Sequence, residues 1–127
     1  MVARGERGAV SVLAVVMVGV ILALSLALLD VTAILSARTR AQTAADAAAL
    51  AAAAATFAPD LAPREAARRM AEANGAGLVW CRCRVDRSLA PRSVAVRTQM
   101  LARLWFWDDV RVSAQARAEF VPYPVGQ

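Results

Sequence analysis

The chain has 127 residues, enough for one small domain, and 59% of them belong to the apolar set AVILMFWYC. A soluble domain is usually about 45–50% apolar even with glycine counted, so the excess predicts a membrane segment, a long alanine-rich helix, or both. The chain contains no histidine, the commonest general base and a frequent metal ligand. We therefore expect no enzyme, no cofactor and no metal site.

The net charge is +5, and all fifteen basic residues are arginine. A basic surface of this size can attract nucleic acid or anionic lipid. The arginines are scattered among acidic residues, however, and only Arg68 and Arg69 are adjacent. The pattern favours a bias of composition, and no nucleic-acid partner is predicted. A functional basic surface is the alternative.

The first predicted element is an uncharged apolar run, residues 9–29. As a helix it would be about 31 Å long, which matches a hydrocarbon core of about 30 Å. Arg4 and Arg7 precede it and Asp30 follows it. These flanks predict one membrane crossing, with residues 1–8 as a cytoplasmic basic leader and the rest of the chain extracytoplasmic. A cleaved signal peptide is the alternative, which the length of the run disfavours.

Residues 30–58 are predicted to extend the same helix outside the membrane, because strong helix formers predominate and no glycine or proline occurs before Pro59. One face of this extension carries small residues at steps of three or four. A small-residue stripe lets neighbouring helices approach closely. We therefore predict contact with partner helices or a second copy, a solitary stalk being the alternative. The predicted interface consists of Ala41, Ala45, Ala48 and Ala52.

Residues 59–127 are predicted to form a small α+β headpiece. Pro59 and Pro63 break the long helix, and a short amphipathic helix follows from about Arg64 to Asn74. Three β-prone runs come next, and alternation of apolar and polar residues in the last two predicts an antiparallel three-stranded sheet with one face on the long helix. The runs are 78–85, 93–99 and 110–120, followed by a proline-containing tail, 121–127.

Cys81 and Cys83 lie two residues apart in the first of these runs. On a strand such residues share a face with Cα atoms about 6.5–7 Å apart, at the limit for an unstrained disulfide. Two thiolates without histidine or another cysteine pair cannot complete a zinc site. Two small apolar residues on the inner face of the sheet are the favoured interpretation. A strained or intermolecular disulfide outside the cytoplasm is the alternative.

Trp105 and Trp107 belong to the only aromatic cluster, residues 104–107, and would share one face of an extended strand. They are candidates for contact with the bilayer surface or with a partner. The favoured alternative is packing of the sheet against the helix. Asp30 is interpreted as a charge at the helix boundary, or, with Asp46, as a partner for an arginine of another copy.

A polar signature follows Asp30, and it reads Arg40-Ala41-Gln42-Thr43-Ala44-Ala45-Asp46-Ala47-Ala48-Ala49-Leu50. Residues 7–55 with this signature resemble TadE/TadG-like proteins, the pseudopilin-type components of Tad (Flp pilus) machinery, and the later helix and Cys-bearing strand resemble the short TadE-like subgroup. The resemblance implies a pilin-like α+β fold in the bacterial cell membrane, working with an assembly ATPase and membrane platform proteins. Its signature polar residues here are Asp30, Arg40, Gln42 and Asp46.

The resemblance also implies prepilin-type cleavage between Gly8 and Ala9. The family pattern places glutamate at the fifth mature position, where this chain has Leu13. A glutamate buried in such a helix is costly and is kept for a purpose, such as pairing with a neighbour's N-terminus. Its absence favours a minor or accessory role over that of a filament subunit. The alternative function is a secreted or anchored protein that binds anionic lipid or polymer through an Arg/Trp surface.

Overall fold

The computed structural model describes residues 3–58 and 60–122, so the end of the predicted tail, 123–127, lies outside the described residues. Two helices precede a three-stranded antiparallel sheet, which confirms the predicted α+β class. The elements are α1 (Ala3–Ala55), α2 (Pro63–Ala73), β1 (Gly77–Arg82), β2 (Arg92–Ala102) and β3 (Val110–Phe120).

Helix α1 has 53 residues and is about 80 Å long at 1.5 Å per residue. It continues from the predicted segment 9–29 into the predicted extension 30–58, but ends at Ala55. From residue 8 to residue 29 every side chain is exposed except half-buried Leu26. One face becomes buried from Asp30 onward. Among the described residues, α1 is the one helix long and apolar enough to cross a membrane. The headpiece thus packs only on the part of α1 that follows the apolar run.

The sheet has the order β1-β2-β3. β3 has the predicted bounds, whereas β2 continues past Gln99 and pairs with β3 as far as Ala102 opposite Val110. β1 ends at Arg82 instead of Val85 and is irregular between Leu78 and Trp80. The longer β2–β3 ladder carries the loop between these strands to the end of the sheet that lies nearest the apolar run.

The core lies between the inner face of the sheet, α2 and the second half of α1. Val94, Val96 and Thr98 of β2 are buried against the alanines of α1. Alanine side chains let the strand come close enough for Thr98 Oγ1 to donate a hydrogen bond to the Ala41 carbonyl oxygen at 2.9 Å. A side chain of the sheet therefore bonds directly to the backbone of α1.

Replacing Thr98 with valine tests this contact. Valine keeps the volume but loses the buried donor, so the free energy of unfolding should fall by about 1 kcal/mol. Thr39→Val is the matched control, since the exposed Thr39 hydroxyl bonds only to Leu35 of its own helix. Denaturation of both full-length variants in detergent micelles measures the difference. Equal stability of the two would contradict a direct bond between β2 and α1.

Candidate functional site

Asp30 joins the end of the apolar run to the headpiece. It is 5% exposed, and its two carboxylate oxygens accept backbone N–H groups of the β2–β3 loop, residues 103–109. The Trp105 N–H donates to Oδ1 at 2.8 Å and the Phe106 N–H to Oδ2 at 3.4 Å. Because the acceptor is charged, such bonds are stronger than neutral ones. In this structure the partners of Asp30 are amides of its own chain, where the alternative prediction placed an arginine of another copy.

The remaining signature residues lie further along α1. Gln42 Nε2 donates to Asp46 Oδ1 at 2.9 Å and to the Gln115 carbonyl oxygen of β3 at 3.2 Å. Asp46 therefore orients the amide that fastens α1 to the middle of the sheet. Arg40 is exposed and lines a shallow hollow together with Arg103. Three of the four signature residues thus serve the attachment of the headpiece to α1.

The predicted helix-packing interface is covered by the headpiece itself. All four of its alanines are fully buried, and they belong to clusters formed with residues of α2, β2 and β3. The prediction that they contact a partner is wrong for this fold, because the sheet and α2 of the same chain take the close-packing position. The four alanines to which this correction applies are Ala41, Ala45, Ala48 and Ala52.

The aromatic cluster projects from the β2–β3 loop. Trp105 is 79% exposed, Phe106 61% and Trp107 75%. The segment is a bend and not a strand, so the favoured prediction, that it packs the sheet against the helix, is wrong. The aspartates Asp108 and Asp109 follow at once and are also exposed. The loop therefore presents three large side chains that the described residues leave uncovered.

Cys81 and Cys83 are joined by a disulfide in the structure, with Cα atoms 5.5 Å apart. This is closer than on a regular strand because β1 ends at Arg82, so the backbone at Cys83 leaves the extended strand. Both cysteines are half-buried against the core. Within the described residues there is no group of three or more metal-ligating side chains.

The outer face of the sheet carries the basic surface. Arg82, Arg97 and Arg117 surround Trp80 in a shallow hollow, and the Arg82 guanidinium lies 5.3 Å from the centroid of the Trp80 ring. The alternative function grouped the arginines with the aromatic cluster. The structure separates them, because Trp80 pairs with Arg97 in the middle of the sheet while the cluster follows the end of β2.

Two carboxylates of the headpiece, Glu65 and Asp86, have lowered pKa values for local reasons. Side-chain hydrogen bonds from Arg68 and Arg69 lower the pKa of Glu65 in α2 from 4.5 to about 2. The Ser88 backbone N–H, with a smaller contribution from Arg92, lowers the pKa of Asp86. All these groups lie in the headpiece away from Asp30, and their hydrogen bonds stabilise a helix surface and a turn.

Residues 8–55 match the family model described as "Putative Flp pilus-assembly TadE/G-like". The match runs from the start of the apolar run to the last residue of α1, and includes Asp30, Gln42 and Asp46. Comparison with curated proteins and with solved structures gives no match. Over this helix, the chain is similar to the TadE/G-like family of Flp pilus-assembly proteins.

Proposed function

We propose that the chain is a minor pseudopilin-like or accessory component of a Tad/Flp-type pilus assembly or secretion system, of the short TadE-like kind. It crosses the bacterial cell membrane once, with residues 1–8 in the cytoplasm and the headpiece outside. One observation carries this proposal: the family-matched helix is at once the apolar anchor and the support on which the headpiece folds. Its action is to assemble with other subunits, without catalysis.

Contact with partner subunits belongs in the membrane part of α1. The alanine stripe of the outer part is covered, whereas every residue of the run 9–29 except half-buried Leu26 is exposed. Gly19 is the smallest residue there, and a Cβ added to it would meet no atom within 4 Å. Small residues spaced by four, as at Gly19, Ala23 and Ala27, let membrane helices pack closely. The proposed neighbours are membrane platform proteins or a second copy, with the assembly ATPase reached through the platform.

Substitution at Gly19 tests this function. In native bacterial membranes, full-length tagged chain should co-purify with platform proteins, and Gly19→Leu should reduce recovery about tenfold if the contact contributes about 1.4 kcal/mol. Val20→Leu is the matched control, because it changes a neighbouring exposed position of the same run. Absence of any Tad component from the wild-type preparation would overturn the proposed function. Equal recovery with Gly19→Leu and Val20→Leu would overturn the proposed contact.

The outer face of the sheet supports a second candidate, binding of an anionic lipid or polymer. Arg82 stacked on Trp80, with Arg97 and Arg117 beside them, is the observation in its favour. We test it with the full chain, since residues 59–127 alone lack the half of the core that α1 supplies. Salt-sensitive binding of heparin that Arg97→Gln and Arg117→Gln abolish would support this candidate, and no binding would exclude it for that probe.

A further inference from the structure

The height of the β2–β3 loop relative to the membrane follows from its hydrogen bonds to Asp30. If residues 9–29 fill the hydrocarbon core, Leu29 lies at the boundary of that core, and the headgroup layer extends about 5–7 Å beyond the boundary. The loop backbone is tied to that level, because the Trp105 nitrogen lies 2.8 Å from Asp30 Oδ1. The loop therefore lies within the headgroup layer of the membrane that α1 crosses.

The side chains of the loop suit that layer. Tryptophan combines a large apolar ring with one N–H donor and concentrates at membrane–water interfaces. Trp105, Phe106 and Trp107 leave more than half of their surface uncovered, and large exposed apolar groups in sequence mark an interaction site. Exposed Asp108 and Asp109 come directly afterwards and favour water. Insertion is therefore shallow.

We propose that residues 103–109 form an interfacial anchor. The side chains of Trp105, Phe106 and Trp107 insert at the headgroup–hydrocarbon boundary, and Asp30 is the positioning residue that holds the loop backbone at that height. The headpiece is then attached to the bilayer at two points, α1 and the loop, which limits its tilt. The inference rests on the membrane crossing in the proposed function.

The charges of the loop distinguish this anchor from binding through a basic surface. Residues 103–109 contain one arginine, Arg103, and two aspartates. The attraction is therefore apolar and does not require anionic lipid. Insertion should be the same in phosphatidylcholine bilayers with and without phosphatidylglycerol.

Fluorescence quenching in reconstituted bilayers tests the anchor. The full chain has three tryptophans, so Trp80→Phe with Trp107→Phe leaves Trp105 as the reporter. Trp105→Phe with Trp107→Phe leaves Trp80, on the outer face of the sheet, as the matched control. Phosphatidylcholine brominated near the headgroup should quench most of the Trp105 emission and little of the Trp80 emission. Aqueous iodide should show the reverse preference.

The outcomes separate the two proposals. Chain that does not float with the vesicles contradicts the membrane crossing itself. Chain that floats while Trp105 remains open to iodide and unquenched by bromolipid contradicts the anchor alone. Protection of Trp105 from both quenchers, which indicates a second copy or another protein on the loop, also contradicts it. So does quenching that appears only when anionic lipid is added.

Discussion

Replacing Ala48 with leucine should destabilise the headpiece by about 3 kcal/mol, because three carbon atoms must enter a fully buried position between α1 and its own core. The stripe cannot widen without separating the sheet from the helix, since Thr98 of β2 bonds to the Ala41 backbone. Denaturation of the full chain in detergent, followed by near-ultraviolet circular dichroism, measures the loss.

Ala54→Leu is the matched control, since Ala54 lies on the exposed face of the same helix and its substitution should change stability little. The pair also decides between two roles for the stripe. If Ala48→Leu leaves the headpiece stable but abolishes co-purification with platform proteins, the stripe is an interface between subunits. Loss of headpiece stability in Ala48→Leu alone would agree with the intramolecular core.

Replacing Asp30 with alanine should release the β2–β3 loop from α1. Two backbone N–H groups lose a charged acceptor, and hydrogen bonds to charged groups contribute about 1.5–3 kcal/mol each when buried. Because these two are only partly buried, we expect a total loss of about 2 kcal/mol in unfolding free energy. Amide exchange at Trp105 and Phe106 should accelerate more than exchange in the β2–β3 ladder.

Asp30→Asn is the control for the charge. The amide keeps one acceptor oxygen, so the loop should stay attached with a loss of about 1 kcal/mol. Unchanged exchange at Trp105 in Asp30→Ala would show that the loop is held by other contacts. That result would also remove the reason for placing the aromatic side chains at the membrane boundary.

The elements that sequence patterns predicted well are those with local causes. Helix α1 was predictable because it contains no proline and most of its residues are apolar or strong helix formers. Alternation along β3 predicted its bounds, 110–120. β2 was predicted too short because Met100 and Leu101 interrupt that alternation, although the ladder with β3 continues through them.

The features that depend on distant contacts were beyond sequence reasoning. The partners of Asp30 are backbone amides some 75 residues away, and backbone groups leave no signature in the side-chain pattern. The alanine stripe correctly indicated close packing but not the identity of the packed surface. The stripe is buried by the same chain because the sheet packs on it, and the sequence pattern does not indicate where the sheet packs.

The intact mass and N-terminal residue of the chain from native bacterial membranes show whether the mature protein keeps the apolar run of α1. We propose that this run anchors the protein and continues into the helix that supports the headpiece. A membrane-bound chain is therefore expected, starting at Met1 or Val2, or at Ala9 after cleavage behind Gly8, which would show that Leu13 is tolerated. A soluble chain starting between Thr32 and Arg40 would contradict the proposal.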